Sequence, residues 1–142
     1  MTFASRNSKK VKGGVFIDIV SPCFMTKEKA REVEGLFSDS LDAIKKESLG
    51  FYYIVKNYEN TSEVMKVAAR TLNIPLTIIC SDTPPWTGID SVNWKRCLKE
   101  FAESSSNRRF ILAKNCGHYV FVDNPSLVIG EIVRQYRKLT QL

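Results

Sequence analysis

Short apolar runs alternate with longer amphipathic segments along this chain. The apolar runs are Gly14–Val20, Ile74–Cys80 and Arg109–Ala113, each dominated by large or β-branched apolar residues. Runs of this length without regular polar positions are typical of strands buried on both faces, as in a parallel sheet. We therefore predict three buried strands, of which the first stops at Ser21-Pro22.

Apolar residues at helical spacing predict two helices between the first two strands. Thr26 is a suitable N-cap for a helix that runs to about Glu47, and Thr61 is a suitable N-cap for the helix that follows. The apolar stripe of the second helix consists of Val64, Val67, Ala68 and Leu72.

Two further helices are predicted in the second half of the chain. One lies near Ser91–Glu103, and the last begins with Asn124 as its N-cap and Pro125 in its first turn. The order strand, helix, strand, helix indicates an α/β layered fold. Since three strands alone leave faces and edges uncovered, we expect them to be part of a larger sheet. The predicted buried stripe of the last helix consists of Val128, Ile132, Val133, Tyr136 and Leu139.

The composition is that of one globular domain. The 142 residues include 44% hydrophobic and 25% charged residues, enough to form a real core. No apolar run approaches the roughly 20 residues that span a bilayer, and Met1–Lys12 lacks the apolar centre of a secretory signal. We therefore expect a cytoplasmic protein with no membrane partner.

Charge and cysteine spacing exclude two further classes. The formal net charge is +6, but the basic residues are scattered and form no patch interleaved with aromatic residues, so no nucleic-acid partner is expected. The four cysteines, Cys23, Cys80, Cys97 and Cys116, include no C-x-x-C pair. This spacing predicts no zinc site and no disulfide framework, and we expect reduced, mostly buried thiols.

The only histidine, His118, follows the third apolar run and precedes the helix at Pro125. An imidazole is the side chain that most readily both accepts and donates a proton near neutral pH. A lone histidine is more often an ordinary loop residue. Its place just past the end of a buried strand would expose it to a cleft while the sheet holds it still, and the pattern of residues that flanks it favours a catalytic role.

The segment Gly117-His118-Tyr119-Val120-Phe121-Val122-Asp123-Asn124-Pro125 resembles the catalytic-histidine loop of α/β-hydrolases. There a Gly-His pair precedes apolar residues, an acid, a proline and the last helix. The resemblance implies an α/β fold class, the C-terminal part of an α/β-hydrolase sheet, with about three parallel strands, flanking helices and a helical cap segment. It implies a single partial domain over residues 1–142, in which residues 23–72 form the cap-like insertion.

The family carries its nucleophile in a G-x-S-x-G turn, followed in chain order by an acid and the histidine. This sequence contains neither G-x-S-x-G nor G-x-D-x-G. Because Met1–Arg6 resembles the end of the helix after the nucleophile, the resemblance implies that the nucleophile and the oxyanion hole precede Met1. We therefore expect the chain to be inactive alone.

Two acids are candidates for orienting His118. The commoner family arrangement favours Asp82, which follows the second strand. The family usually has this acid slightly later in the chain, at the position that Pro84 occupies here. In a second arrangement, found in some haloalkane dehalogenases, the acid ends the preceding strand, and Asp18 fits it. A carboxylate in so apolar a run needs a partner, which the imidazole N–H would supply. Alternatively, Asp18 ends its strand and bonds only nearby backbone N–H groups.

Two other groups near the histidine have competing interpretations. Cys116 stands two residues from His118, but side chains at this spacing in a loop usually diverge, so we do not expect a Cys–His dyad. Trp86 and Trp94 are candidates for an apolar acyl pocket or for plain core.

The resemblance implies a hydrolase of small esters or related substrates, with His118 as general base and acid and Asp18 as its orienting acid. No cofactor and no metal ion are expected. The partner is a small-molecule substrate if an N-terminal half completes the site. Alternatively, the chain is a non-catalytic remnant or interaction module that complements another chain, or self-associates through the exposed sheet edge at Gly14–Val20.

Overall fold

Three parallel strands form one sheet in residues 1–140, the part of the chain that the computed structural model describes. They are β1 (Gly14–Ile17), β2 (Leu76–Thr83) and β3 (Arg108–Gly117), in the spatial order β1-β2-β3. Leu76 of the central strand pairs with Gly14 on one side and Arg108 on the other. The predicted α/β class with a three-stranded parallel sheet is confirmed.

Helices flank the sheet and fill the long connection between β1 and β2. A 3₁₀ helix at Ser38–Ser40 interrupts this connection. The α-helices are α1 (Thr2–Arg6), α2 (Lys27–Leu36), α3 (Leu41–Glu47), α4 (Leu49–Lys56), α5 (Tyr58–Thr71), α6 (Gly88–Glu103), α7 (Val120–Asp123) and α8 (Pro125–Thr140).

The first strand is shorter than the predicted Gly14–Val20, because the backbone turns at Asp18. Asp18 has a φ of 44°, in the left-handed region that aspartate tolerates better than most residues. Its N–H still donates to the Ile79 carbonyl at 2.7 Å, so the turn is tied to β2. The strand therefore ends at Ile17, and the Asp18 side chain lies at the carboxyl edge of the sheet.

The helices between β1 and β2 differ from the prediction in their bounds. Thr26 does cap α2, since its Oγ1 accepts the Lys29 N–H at 3.1 Å. The helix ends at Leu36, not near Glu47, because the Ser38–Ser40 segment contains residues that favour turns. The prediction of Thr61 as an N-cap is wrong, since α5 already begins at Tyr58.

The apolar core lies on both faces of the sheet, because alternate residues of β2 point to opposite sides. On one face, Ile78 packs in a cluster with Trp94 and Leu98 of α6. On the other face, Ile79 packs with Val120 and with Val128 of α8. The fold thus has helices on both faces of a parallel sheet, as buried apolar strands require.

The predicted buried stripe of α8 is wrong over most of its length. Val128 is buried, but Ile132, Val133 and Tyr136 are 49%, 40% and 67% exposed. Val128 packs against the sheet. Ile132 and Tyr136 instead line a groove beside β1, on the side of β1 where no further strand pairs within residues 1–140. An apolar helix face therefore stays uncovered next to the sheet edge.

The prediction that the four cysteines are reduced is also wrong. Cys23, in the loop after β1, and Cys97 of α6 form a disulfide with their Cα atoms 5.4 Å apart. Sequence spacing did not reveal this pair, because 74 residues separate the two cysteines and only the fold brings them together. Cys80 and Cys116 are free and buried.

Within residues 1–140, none of the helices has the length and apolar character needed to cross a bilayer. The cytoplasmic location stays a prediction. The disulfide weighs against it, because protein disulfides persist mainly in oxidising compartments.

Candidate active site at the carboxyl edge of the sheet

The carboxyl ends of the three strands bring Asp18, Ser81 and His118 together. Asp18 directly follows β1, Ser81 lies near the end of β2, and His118 directly follows β3. Because the strands are parallel, these ends share one edge of the sheet, where α/β folds place their ligand sites. Asp18 and His118, 100 residues apart in sequence, therefore meet at this edge.

Both oxygens of the Asp18 carboxylate accept hydrogen bonds. Oδ2 lies 2.8 Å from His118 Nδ1 and accepts the Ser81 hydroxyl at 2.7 Å. Oδ1 accepts the Ser81 backbone N–H and the Trp94 Nε1–H, both at 2.9 Å. Asp18 is only 1% exposed, and a carboxylate so buried is stable only with such partners.

The pair of His118 and Asp18 has a defined direction. An ionised carboxylate oxygen only accepts, so His118 Nδ1 donates in this contact, and in the neutral imidazole the lone pair is then on Nε2. The imidazole is 39% exposed, whereas the Asp18 side chain is fully buried. A buried acid that holds the tautomer of a partly exposed imidazole is the arrangement that general base catalysis uses.

A bulge in β3 and a closed loop place His118. Between Ala113 and Gly117, β3 carries extra residues relative to β2. Asn115 in this bulge has a φ of 58°, a left-handed conformation that asparagine adopts more readily than most residues. The Gly117 N–H then donates to Asp123 Oδ2 at 2.7 Å, which ties the histidine loop to α7.

Asp82, the other candidate acid, makes different contacts. Its Oδ2 accepts the Asn115 N–H at 3.4 Å, and its side chain makes no hydrogen bond to His118. The geometry therefore favours Asp18 over Asp82 as the orienting acid. The catalytic roles of Asp18 and His118 stay predictions.

The free cysteines are poorly suited to act as nucleophiles. Cys116 lies against the Lys114 carbonyl oxygen, with its Sγ at 3.5 Å, and its side chain makes no hydrogen bond to His118. Burial raises the pKa of Cys116, and burial together with the nearby Asp18 carboxylate raises the pKa of Cys80 to about 12. Since the thiolate is the reactive form, neither thiol is activated.

Sequence reasoning missed two partners of Asp18. The sequence pattern gives Ser81 no role beyond the end of the second strand, and it places Trp94 in a pocket or in the core. Trp94 is a core residue and only 1% exposed. A buried indole N–H usually has a hydrogen-bond acceptor, and this rule is the signal by which a polar partner of Trp94 could have been predicted. The contact of Ser81 with Asp18 follows from the parallel pairing of β1 and β2.

One group of side chains in residues 1–140 has the spacing of metal ligands. Donor atoms of Cys23, Cys97 and Glu100 all lie within 4.8 Å of one another. Because cysteine binds metal as the thiolate, the group fits a metal ion only if the disulfide is reduced. The predicted absence of a metal or cofactor is not tested by this arrangement.

No protein-family model and no curated protein sequence matches the chain. Among solved structures, the crystal structure of E-2-(acetamidomethylene)succinate hydrolase, an α/β-hydrolase-type enzyme, matches with a TM-score of 0.59 and 13% sequence identity. The match covers 96% of this chain and 61% of the other, so the chain spans less than two thirds of its neighbour. At this identity the likeness shows the fold alone: a three-stranded part of an α/β-hydrolase fold.

Proposed function

We propose that this chain supplies the histidine and the acid of an α/β-hydrolase that cleaves small esters or related substrates. The observation that carries the proposal is the 2.8 Å contact between His118 Nδ1 and Asp18 Oδ2 at the carboxyl edge of the sheet. The hydrolase-type fold of the structural neighbour supports it.

In the proposed reaction with a serine nucleophile, His118 Nε2 accepts the hydroxyl proton as the serine oxygen attacks the substrate carbonyl carbon. The same nitrogen then donates the proton to the leaving alcohol, and a water molecule repeats the sequence to release the acid. Asp18 keeps the other proton on Nδ1 and stabilises the imidazolium that forms between the two steps. An aspartate nucleophile would attack as its carboxylate, which has no proton to give, and His118 would then act only on the water molecule.

We place the nucleophile outside the 142 residues. The sequence has no G-x-S-x-G or G-x-D-x-G turn. The Ser81 hydroxyl already donates its hydrogen bond to Asp18, so it does not donate to His118. The outer edge of β1 has no strand partner within residues 1–140, and a groove of about 290 Å³ beside it is lined by residues that include Ile17, Ile132 and Tyr136. A parallel strand added to this edge would bring its carboxyl end next to Asp18.

Reading the coding sequence upstream of Met1 tests the proposal, followed by assay of the protein it encodes. We expect an in-frame G-x-S-x-G or G-x-D-x-G turn, and hydrolysis of p-nitrophenyl acetate by the longer protein. His118→Ala should lower kcat/KM at least about 100-fold, since general acid–base catalysis contributes that much or more. Asp82→Asn is the matched control and should leave the rate unchanged. A stop codon or unrelated sequence upstream would contradict the proposal.

The second candidate function is a non-catalytic interaction module that complements another chain or self-associates. The uncovered face of α8, where Ile132 and Tyr136 are about half or more exposed beside the free edge of β1, favours it. Sedimentation of the 142-residue chain would then show concentration-dependent self-association, which Tyr136→Glu should reduce. A monomer at all concentrations would count against self-association.

A further inference from the structure

Trp94 is the one residue outside the strand ends that bonds the Asp18 carboxylate within residues 1–140. It lies on α6, is 1% exposed, and donates its indole N–H to Asp18 Oδ1 at 2.9 Å. Its ring also stands edge-on to the His118 imidazole, with centroids 6.4 Å apart and an angle of 73° between the planes. Trp94 therefore contacts the acid and flanks the base.

The donors around Asp18 divide its two oxygens between different tasks. Oδ1 receives only fixed donors, the Trp94 indole and the Ser81 backbone N–H. Oδ2 faces the Ser81 hydroxyl, which can rotate, and His118. Because rotation of the carboxylate would break the bonds at Oδ1, those bonds hold Oδ2 towards Nδ1.

The indole itself is held in place by its surroundings. Phe24 packs edge-on against it, with ring centroids 5.0 Å apart. One turn further along α6, Cys97 is joined by a disulfide to Cys23, in the loop that follows Asp18. The helix that carries the donor and the loop that carries the acceptor are thus covalently linked.

We propose that Trp94 is a positioning residue that fixes the rotation of the Asp18 carboxylate and so holds the proton on His118 Nδ1. Its value for catalysis rests on the proposed function of His118. The contact it controls can be measured without a substrate or a nucleophile.

The test is the exchange with water of the Nδ1 proton of His118, followed by proton NMR of the 142-residue chain. Because the chain has one histidine, the resonance is assigned by its loss in His118→Gln. Trp94→Phe removes the indole N–H and keeps an aromatic ring. The matched control is Trp86→Phe, because Trp86 packs against Trp94 but its buried Nε1 has no hydrogen-bond partner in residues 1–140.

We expect Trp94→Phe to speed exchange of the Nδ1 proton about tenfold, the effect of losing one bond to a charged group. Trp86→Phe should leave the exchange rate within about twofold of the native rate, because it removes no hydrogen bond to Asp18. If Trp94→Phe does not fold, the benzothiophene analogue of tryptophan at position 94, which keeps the ring size and lacks the N–H, gives the same comparison. Unchanged exchange in the folded variant, or equal acceleration in both variants, would overturn the proposal. If the longer protein does not hydrolyse the ester, only the proposed function is contradicted, because exchange of the His118 Nδ1 proton needs no nucleophile.

Discussion

Replacing Asp18 by alanine tests how far this carboxylate holds the site together. The Trp94 indole N–H and the Ser81 backbone N–H, each bonded at 2.9 Å, would lose their acceptor in a buried place. An unsatisfied buried donor costs about 1–3 kcal/mol, so the two cost roughly 4 kcal/mol. Alanine in the left-handed backbone at φ 44° adds about 1 kcal/mol. We expect Asp18→Ala to lower the free energy of unfolding by roughly 5 kcal/mol.

Asp18→Asn keeps the shape of the side chain and removes its charge. The amide oxygen can take the Oδ1 position and keep the same two donors, while the NH₂ group takes the Oδ2 position. The Ser81 hydroxyl can turn to accept from that NH₂ group. The loss is then mainly the extra strength of charge-assisted bonds, about 1–2 kcal/mol. The free energy of unfolding of Asp18→Asn should therefore be roughly 3 kcal/mol higher than that of Asp18→Ala.

The same amide reverses the tautomer of His118. An NH₂ group in the Oδ2 position donates, so His118 Nδ1 must accept and the proton moves to Nε2. Nitrogen-15 NMR of the single imidazole distinguishes the two tautomers, and urea unfolding followed by circular dichroism gives the two stabilities. A cost below about 1 kcal/mol for Asp18→Ala, less than one lost donor, would contradict the proposed role of the carboxylate. So would an Asn variant whose proton stays on Nδ1.

Three further predictions concern other parts of the chain. Reducing the Cys23–Cys97 disulfide should lower the free energy of unfolding by up to about 4 kcal/mol, because it closes a loop of 74 residues; an unchanged urea midpoint would contradict this. Burial and the nearby Asp18 carboxylate raise the pKa of the Cys80 thiol to about 12, so Cys80 should resist iodoacetamide at pH 8 in the native protein and react with it in urea. Mass spectrometry would show the labelling, and labelling of the native protein at the rate of the unfolded protein would count against this prediction. The hydrogen bond from Arg31 and, to a smaller extent, the one from Lys27 lower the pKa of the Glu59 carboxyl from 4.5 to about 2. Its stabilising effect is therefore present above pH 4.5 and lost as the pH falls towards 2, so the stability difference between native protein and Glu59→Gln should shrink over that range, and a constant difference would rule this out.

The parts of the fold that depend on local chemistry could be predicted from the sequence. The apolar run at Ile74–Cys80 indicated a central strand, and Asn124 does cap α8, since its Oδ1 accepts the Leu127 N–H at 3.0 Å. The position of His118 after a strand followed from the run that precedes it. These features are set by residues close together in sequence.

Features that depend on distant residues could not be predicted. The left-handed turn at Asp18 and the bond from Trp94 arise only when β1, β2 and α6 meet. The Cys23–Cys97 disulfide has the same origin. The apolar residues of α8, such as Tyr136, indicated a buried face, but hydrophobic periodicity does not say which element covers it.

The most direct test of the proposed hydrolase is the rate of p-nitrophenyl acetate hydrolysis with and without a nucleophile-bearing segment. We expect the 142-residue chain alone to hydrolyse the ester no faster than an equal concentration of free imidazole, because without a further nucleophile only the slow attack by the imidazole itself is left. With the segment encoded upstream, fused or added in trans, we expect a rate that falls at least about 100-fold in His118→Ala. Turnover by the 142 residues alone that exceeds the rate of free imidazole and disappears in His118→Ala would contradict this conclusion, because it would place the nucleophile within this chain.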